Sequence, residues 1–142
     1  KVVIFAIFQT DIQELEKAIA EKFDKGAVAS YYGKTPQDKR QAIIDKFQDP
    51  DSELRYFVSN PQTGGRGITL TGANTMIFYS NSYDLELRVQ AEDRIHRIGQ
   101  EYSCTYIDLV AKGTVDEQIL KNLLNKVKIS NEVLGEVRNW FE

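Results

Sequence analysis

Val2-Val3-Ile4-Phe5-Ala6-Ile7-Phe8 is the stretch from which the fold follows. An unbroken apolar run of this kind predicts a β-strand buried on both faces, as in a parallel sheet covered by helices above and below. The residues that follow change period. Ile12, Leu15, Ile19 and Phe23 recur at helical spacing, with acids and lysines between them. Val28-Ala29-Ser30-Tyr31-Tyr32 then returns to β-branched and aromatic residues. Strand, amphipathic helix and strand in that order form a βαβ unit.

The alternation continues outward from this unit. Thr35-Pro36-Gln37-Asp38 offers a capping threonine, a proline at the first helical position and an acid at the third. Arg40, Ile43, Ile44 and Phe47 carry that helix to Asp49-Pro50-Asp51, which ends it. Tyr56 to Ser59, Thr75 to Ser80 and Thr105 to Val110 predict three further strands, with a helix from Asp84 between the last two. Thr114-Val115-Asp116-Glu117 is a second capping box. It opens a helix with Val115, Ile119, Leu120, Leu123, Leu124 and Val127 along one side. The expected fold class is α/β: a mainly parallel sheet with helices on both faces, over residues 1–130. Residues 131–142, with Val133, Leu134, Val137, Trp140 and Phe141, are expected to form an amphipathic helix that docks on it.

Composition narrows the function classes. The chain has 142 residues, 42% hydrophobic and 27% charged, which is ordinary for one folded domain large enough to hold a core. The net charge of −3 gives no overall positive field to draw in nucleic acid, although local basic stripes are compatible with it. One cysteine, Cys104, excludes an internal disulfide framework and a Cys-cluster zinc site, and one histidine, His96, excludes a His-rich metal centre. There is no apolar run of about 18 residues, the length a membrane-spanning helix needs. The chain opens at Lys1 directly into a strand, so it reads as a piece of a longer protein cut at a domain edge.

Several stretches invite a chemical reading. Gly33-Lys34-Thr35 ends like a phosphate-binding loop, but that motif needs a second glycine five residues before the Gly-Lys step, and Val28 stands there. Ala29 to Tyr32 belong to a strand, which cannot turn its amides inward around a phosphate. A receiver-domain reading fails on its acids: Asp11 stands alone, and the third strand ends in Ser59-Asn60. Thr63-Gly64-Gly65-Arg66-Gly67, followed by Thr69, Thr71 and Gly72, has the small residues that let backbone amides approach a phosphate. On a helix through Gln90-Ala91-Glu92-Asp93-Arg94-Ile95-His96-Arg97-Ile98-Gly99-Gln100, a buried stripe forms from Leu87, Ala91, Ile95 and Ile98. Gln90, Arg94 and Arg97 make a polar row beside it. Arg94 lies near the core-facing direction and so needs a specific partner: an anion such as phosphate, or an acid such as Asp93 or Glu92.

Taken in order, these stretches resemble the C-terminal RecA-like lobe of superfamily-two helicases, and within it the Swi/Snf-type DNA translocases. Val2 to Gln9 resembles motif IV. Gly33, Arg40 and Phe47 resemble the G…R…F pattern after the second strand. Thr63 to Ile68 with Leu70 resembles motif V. Gln90 to Gln100 resembles motif VI, which in this branch reads Q-x-x-D-R-x-H-R-I-G-Q. Tyr106 to Val110, continuing through Gly113-Thr114-Val115-Asp116-Glu117, also follows the branch.

The resemblance implies roles. Arg94 and Arg97 match the motif VI arginines that reach the γ-phosphate of ATP as arginine fingers. Gln90, Gly65 and Gly67 match nucleotide-side positions. Gln9, Thr35, Thr63, Gly64 and Thr71 lie where this lobe meets nucleic-acid phosphates. It implies ATP with Mg²⁺ as cofactor, the metal and the phosphate loop being expected on an N-terminal RecA-like lobe of the same polypeptide. The expected partner is double-stranded DNA, with no membrane. The whole protein is expected to be a DNA-dependent ATPase and this lobe alone to be inactive.

Two alternatives share the fold: the lobe of an RNA helicase, which usually ends motif VI with a third arginine two residues after a glycine-arginine step, whereas here Gly99 is followed by Gln100, and a non-catalytic interaction domain whose arginines pair with acids. The chain departs from the family at Thr69 (usually Asn), at Asn81-Ser82-Tyr83 (usually Trp-Asn-Pro) and at Asn60-Pro61-Gln62. These departures and the lack of long insertions point to a compact bacterial, archaeal or phage member. The expected location is intracellular: cytoplasmic and nucleoid-associated in that case, nuclear in a eukaryote.

Overall fold

The computed structural model describes residues 1–63 and 67–140, with side chains through residue 134. Five strands, β1 (Val2–Phe5), β2 (Val28–Tyr31), β3 (Tyr56–Ser59), β4 (Thr75–Phe78) and β5 (Thr105–Asp108), form one sheet in the order β2-β3-β1-β4-β5. Every neighbouring pair is parallel, with Val2 facing Tyr56 on one side and Thr75 on the other. This is the expected α/β class, with the sheet wholly rather than mainly parallel.

Period-two alternation sorts the strand side chains into two layers. Val3, Phe5, Phe57, Met76 and Phe78 point to one face, where Phe47 of α2 (Gln37–Gln48) and Ala91 of α3 (Leu85–Glu92) cover them. Ile4, Ala6 and Val58 point to the other face, under Ile12 of α1 (Gln9–Lys22). Phe5, Phe47 and Phe57 are fully buried. Burial on this scale contributes roughly 1.5–3 kcal/mol per large side chain.

The first strand is shorter than the apolar run. Pairing stops at Phe5 because side chains take over the ladder: the Ile7 amide donates to Ser80 Oγ at 2.9 Å, and Asn60 Nδ2 donates to the Ile7 carbonyl at 2.6 Å. Phe8 is the residue before α1 and is exposed, not buried in a strand. The threonine expected to cap α2 does something else. Thr35 Oγ1 accepts from the Tyr32 amide at 3.0 Å and donates to the Ser30 carbonyl at 3.3 Å, so it closes the loop after β2, and Pro36 stands at the helix start.

The helix expected through motif VI also stops early. The Arg94 carbonyl, which a continuing helix would offer to the Ile98 amide, accepts instead from the Leu70 amide at 2.8 Å. The chain tightens through Arg94 N–H to the Ala91 carbonyl and Ile95 N–H to the Glu92 carbonyl, then turns at Gly99 with φ +100°. Ile98, expected in the buried stripe, is fully exposed, while Ala91 and Ile95 are buried as expected.

The last helix, α4 (Val115–Trp140), is continuous across residue 131. Its capping box is shifted by one residue: Thr114 Oγ1 accepts from the Asp116 amide, and Glu117 accepts from the Gly113 amide rather than that of Thr114. Ile119 and Leu123 are buried, and α4 packs on α3. Val115, Leu124 and Val127 are exposed, as are Val133 and Leu134 in the segment expected to dock. The Trp140 side chain and Phe141 lie outside the described residues.

Candidate nucleotide-facing site

In a parallel sheet all strands end on one edge, and a site is built from the loops beyond it and the segments that return across a face. Here the described end of the β3–β4 connection, from Gly67 onward, lies over the face that carries Phe5 and Phe78, burying Leu70 and Ala73 against it. The turn after α3 lies alongside this connection. Leu70 N–H to the Arg94 carbonyl, and Arg97 Nη1 to the Gly67 carbonyl (3.0 Å) and Thr69 Oγ1 (3.2 Å), join the two. Gly67 has φ +103°, a conformation that a side chain would strain.

Gln90, Arg94, Arg97 and Gly67 therefore line one groove of about 460 Å³, together with Asp93 and His96. The two arginines differ sharply. Arg97 is exposed. Arg94 is buried at 7% exposure, its Nη2 donates to the Pro61 carbonyl at 2.6 Å, and its guanidinium carbon lies 5.2 Å from the Phe5 ring centre. Among the described residues its Nη1 has no hydrogen-bond partner. Neither Asp93 nor Glu92 pairs with it. Burial lowers its pKa below the ordinary arginine value, with the Tyr31 hydroxyl opposing only in part. A desolvated cation with an unpartnered, buried Nη1, in the wall of a groove that holds a second guanidinium, is suited in its chemistry to an anion with several oxygens.

Gln90 Nε2 donates to Glu86 one turn back, at 2.9 Å. Gln9, Thr35 and Thr63 share the edge beyond the strand ends, following β1, β2 and β3. Gln9 is exposed there, but Thr35 is buried with its hydroxyl committed within the loop. Arg40 clamps the same loop, donating to the Thr35 carbonyl at 3.1 Å and to those of Tyr32 and Gly33. Thr71 stands apart: it precedes β4, at the opposite edge beside Lys1 and Tyr102, and its hydroxyl accepts from Gln48 at 3.0 Å. Gly64 and Gly65 lie outside the described residues.

Sequence reasoning missed the network that fixes α3 to β5. Arg88 of α3 forks onto both carboxylate oxygens of Asp108 in β5, donates to Glu92 at 2.6 Å and to Asn81, and lies 3.5 Å from the Phe78 ring centre. Burial alone would lower the Arg88 pKa, but its hydrogen bonds to Asp108 and Glu92 leave it raised. The available signal was Asp108, an acid inside an apolar strand on the core-facing register of Phe78. Gln100 was missed as well. Its Nε2 donates to the carbonyls of Ala73 (2.7 Å) and Ile95 (3.0 Å), tying the arginine turn to the β3–β4 connection.

Comparison with known proteins bears on the family and the fold. The helicase conserved C-terminal domain model matches residues 1–99. DNA repair and recombination protein RAD54-like from Drosophila ananassae is 34% identical over 134 residues, covering 94% of this chain and 17% of that protein. SWI/SNF-related matrix-associated actin-dependent regulator of chromatin subfamily A member 1 from Mus musculus is 33% identical over 106 residues, covering 75% of this chain and 10% of that protein. The solved C-terminal part of the Fun30 ATPase domain superposes with a TM-score of 0.78 at 31% identity, over 87% of this chain and 39% of that one. This chain thus spans a minor part of each relative. Both sequence relatives are eukaryotic, so the bacterial, archaeal or phage source expected from Thr69 and Asn81-Ser82-Tyr83 finds no support in them. The chain belongs to the helicase conserved C-terminal domain family, as a RecA-like lobe of the Swi/Snf type.

Proposed function

We propose that this chain is the second motor lobe of an ATP-dependent DNA translocase, and that its groove completes an ATP site whose phosphate loop and Mg²⁺ ligands sit on an N-terminal lobe. The observation that carries the reading is Arg94: buried, without an acid partner, its Nη1 free among the described residues. Burying an arginine with no counter-charge is costly, and an anion brought by another body would offset that cost. Arg94 and Arg97 would place positive charge where negative charge builds as the γ-phosphoryl group transfers. Gln90, Gly65 and Gly67 would hold the nucleotide side.

Gln9, Thr63 and Gly64 would contact strand phosphates from the edge beyond the strand ends, without reading sequence. Thr35 would act there by shaping its loop. Thr71 would contribute to the track only if strand contacts reach the opposite edge. The relatives named for DNA repair and chromatin regulation favour DNA over RNA and a nuclear location.

The test is ATP hydrolysis by the full-length protein with duplex DNA, single-stranded DNA, RNA or no nucleic acid, for wild type and Arg97→Ala, beside the isolated lobe. Expected are stimulation by duplex DNA, loss of turnover in Arg97→Ala with ATP still bound, and no hydrolysis by the isolated lobe. Stimulation by RNA alone would assign an RNA helicase. Indifference to nucleic acid and to Arg97→Ala would leave an interaction domain. Hydrolysis by the isolated lobe, abolished by Lys34→Ala, would restore the phosphate-loop reading of residues 33–35.

A further inference from the structure

The two arginines of the groove are held by different means, and one holding group has no role so far. Arg94 is fixed by burial and the Pro61 carbonyl. Arg97 is exposed, and an exposed arginine loses about 2 kcal/mol of side-chain freedom when it is held in one rotamer. In this structure a single nitrogen, Nη1, holds it, donating to the Gly67 carbonyl and to Thr69 Oγ1. Among the described residues no acceptor is recorded for its Nη2 or Nε. The Gly67 contact is made by a backbone carbonyl and needs no side chain. The Thr69 contact depends on the side chain.

We propose that Thr69 is a positioning residue for Arg97: its hydroxyl anchors one guanidinium nitrogen so that the remaining donors face the groove shared with Arg94. The inference rests on the arginine-finger reading of Arg97. It assigns Thr69 no contact with ATP or nucleic acid. Its effect passes through orientation, so it belongs to the rate of the chemical step and not to binding.

The experiment measures kcat, KM for ATP and duplex-DNA affinity in the full-length protein for Thr69→Val, which keeps the shape and removes the acceptor, for Thr69→Ser, which keeps the hydroxyl, and for Arg97→Ala with and without Thr69→Val. Thermal melting checks that each variant is folded. The expected result is a kcat lowered about three- to tenfold in Thr69→Val, the net worth of one ordinary hydrogen bond at an exposed site, with KM and DNA affinity unchanged and Thr69→Ser near wild type. In the Arg97→Ala background Thr69→Val should cost nothing more, because the group it orients is gone.

Three results would overturn the inference: unchanged kcat in Thr69→Val, a change confined to KM or DNA affinity, or a full additional loss in the double variant. An Arg97→Ala protein with wild-type turnover would remove the underlying motor reading as well. An impaired Arg97→Ala protein beside a normal Thr69→Val one would remove only the role of Thr69.

Discussion

Arg88 and Arg94 rest on neighbouring aromatic rings of one sheet face, Phe78 and Phe5. Arg88 meets two carboxylates; Arg94 meets one carbonyl. The pKa directions follow: raised at Arg88, lowered at Arg94. An arginine kept for stability would have the first environment, so Arg94 should be dispensable to the fold. Arg94→Met retains the apolar stem and removes the desolvated charge. Its unfolding free energy should stay within about 1 kcal/mol of wild type or exceed it, since uncompensated buried charge is costly. Denaturant melts of the lobe check this, and a loss of several kcal/mol would make Arg94 a structural residue. The orientation of Arg94 could be read from helical spacing up to Ala91. Its partner could not, because the Pro61 carbonyl comes from a loop 33 residues away.

At the scale of elements, α3 is tied to β5 and to the segment after β4 through one side chain. Arg88 bridges Asp108 and Asn81, and Asn81 Nδ2 also donates to Asp108 at 2.7 Å. The Arg88 and Asp108 side chains are 13% and 20% exposed, so truncating one strands the other away from full hydration. Arg88→Ala should cost about 3–5 kcal/mol, as expected for a broken buried pair, and should lower the melting temperature by roughly 10–25 °C. A melting temperature equal to wild type would show the network to be redundant.

Element types were legible because strands and helices have different hydrophobic periods, and Tyr56 to Ser59 matches β3 end for end. Element ends were less so, since long-range bonds set them. Ser80 and Asn60 end β1, and the Leu70 amide diverts the Arg94 carbonyl and ends the run of α3. Residues from two distant segments meet in each case, and local spacing carries no trace of that.

For the whole molecule, the groove occupies one face, while Gln9, Thr35 and Thr63 follow the strand ends. On the proposed reading, a body that brings phosphate to Arg94 and a strand that crosses the sheet edge would engage this lobe together. The order of motifs made the family legible from sequence. The groove itself was legible in its members and not in its construction: Gln90, Arg94, Arg97 and Gly67 do converge, but Thr69 and Gln100, which join the two segments, were not singled out for that role. Their contribution depends on the return path of the β3–β4 connection, a property of topology.

On the proposed reading, Arg94 is buried for the sake of a phosphate it does not meet within this lobe. The most direct measurement is ATP affinity and duplex-DNA-stimulated turnover of full-length Arg94→Met. The expected result is a folded protein that binds ATP within a few-fold of wild type and turns it over about 10³-fold or more slower, the range found for loss of an arginine finger. Turnover at the wild-type rate would contradict it.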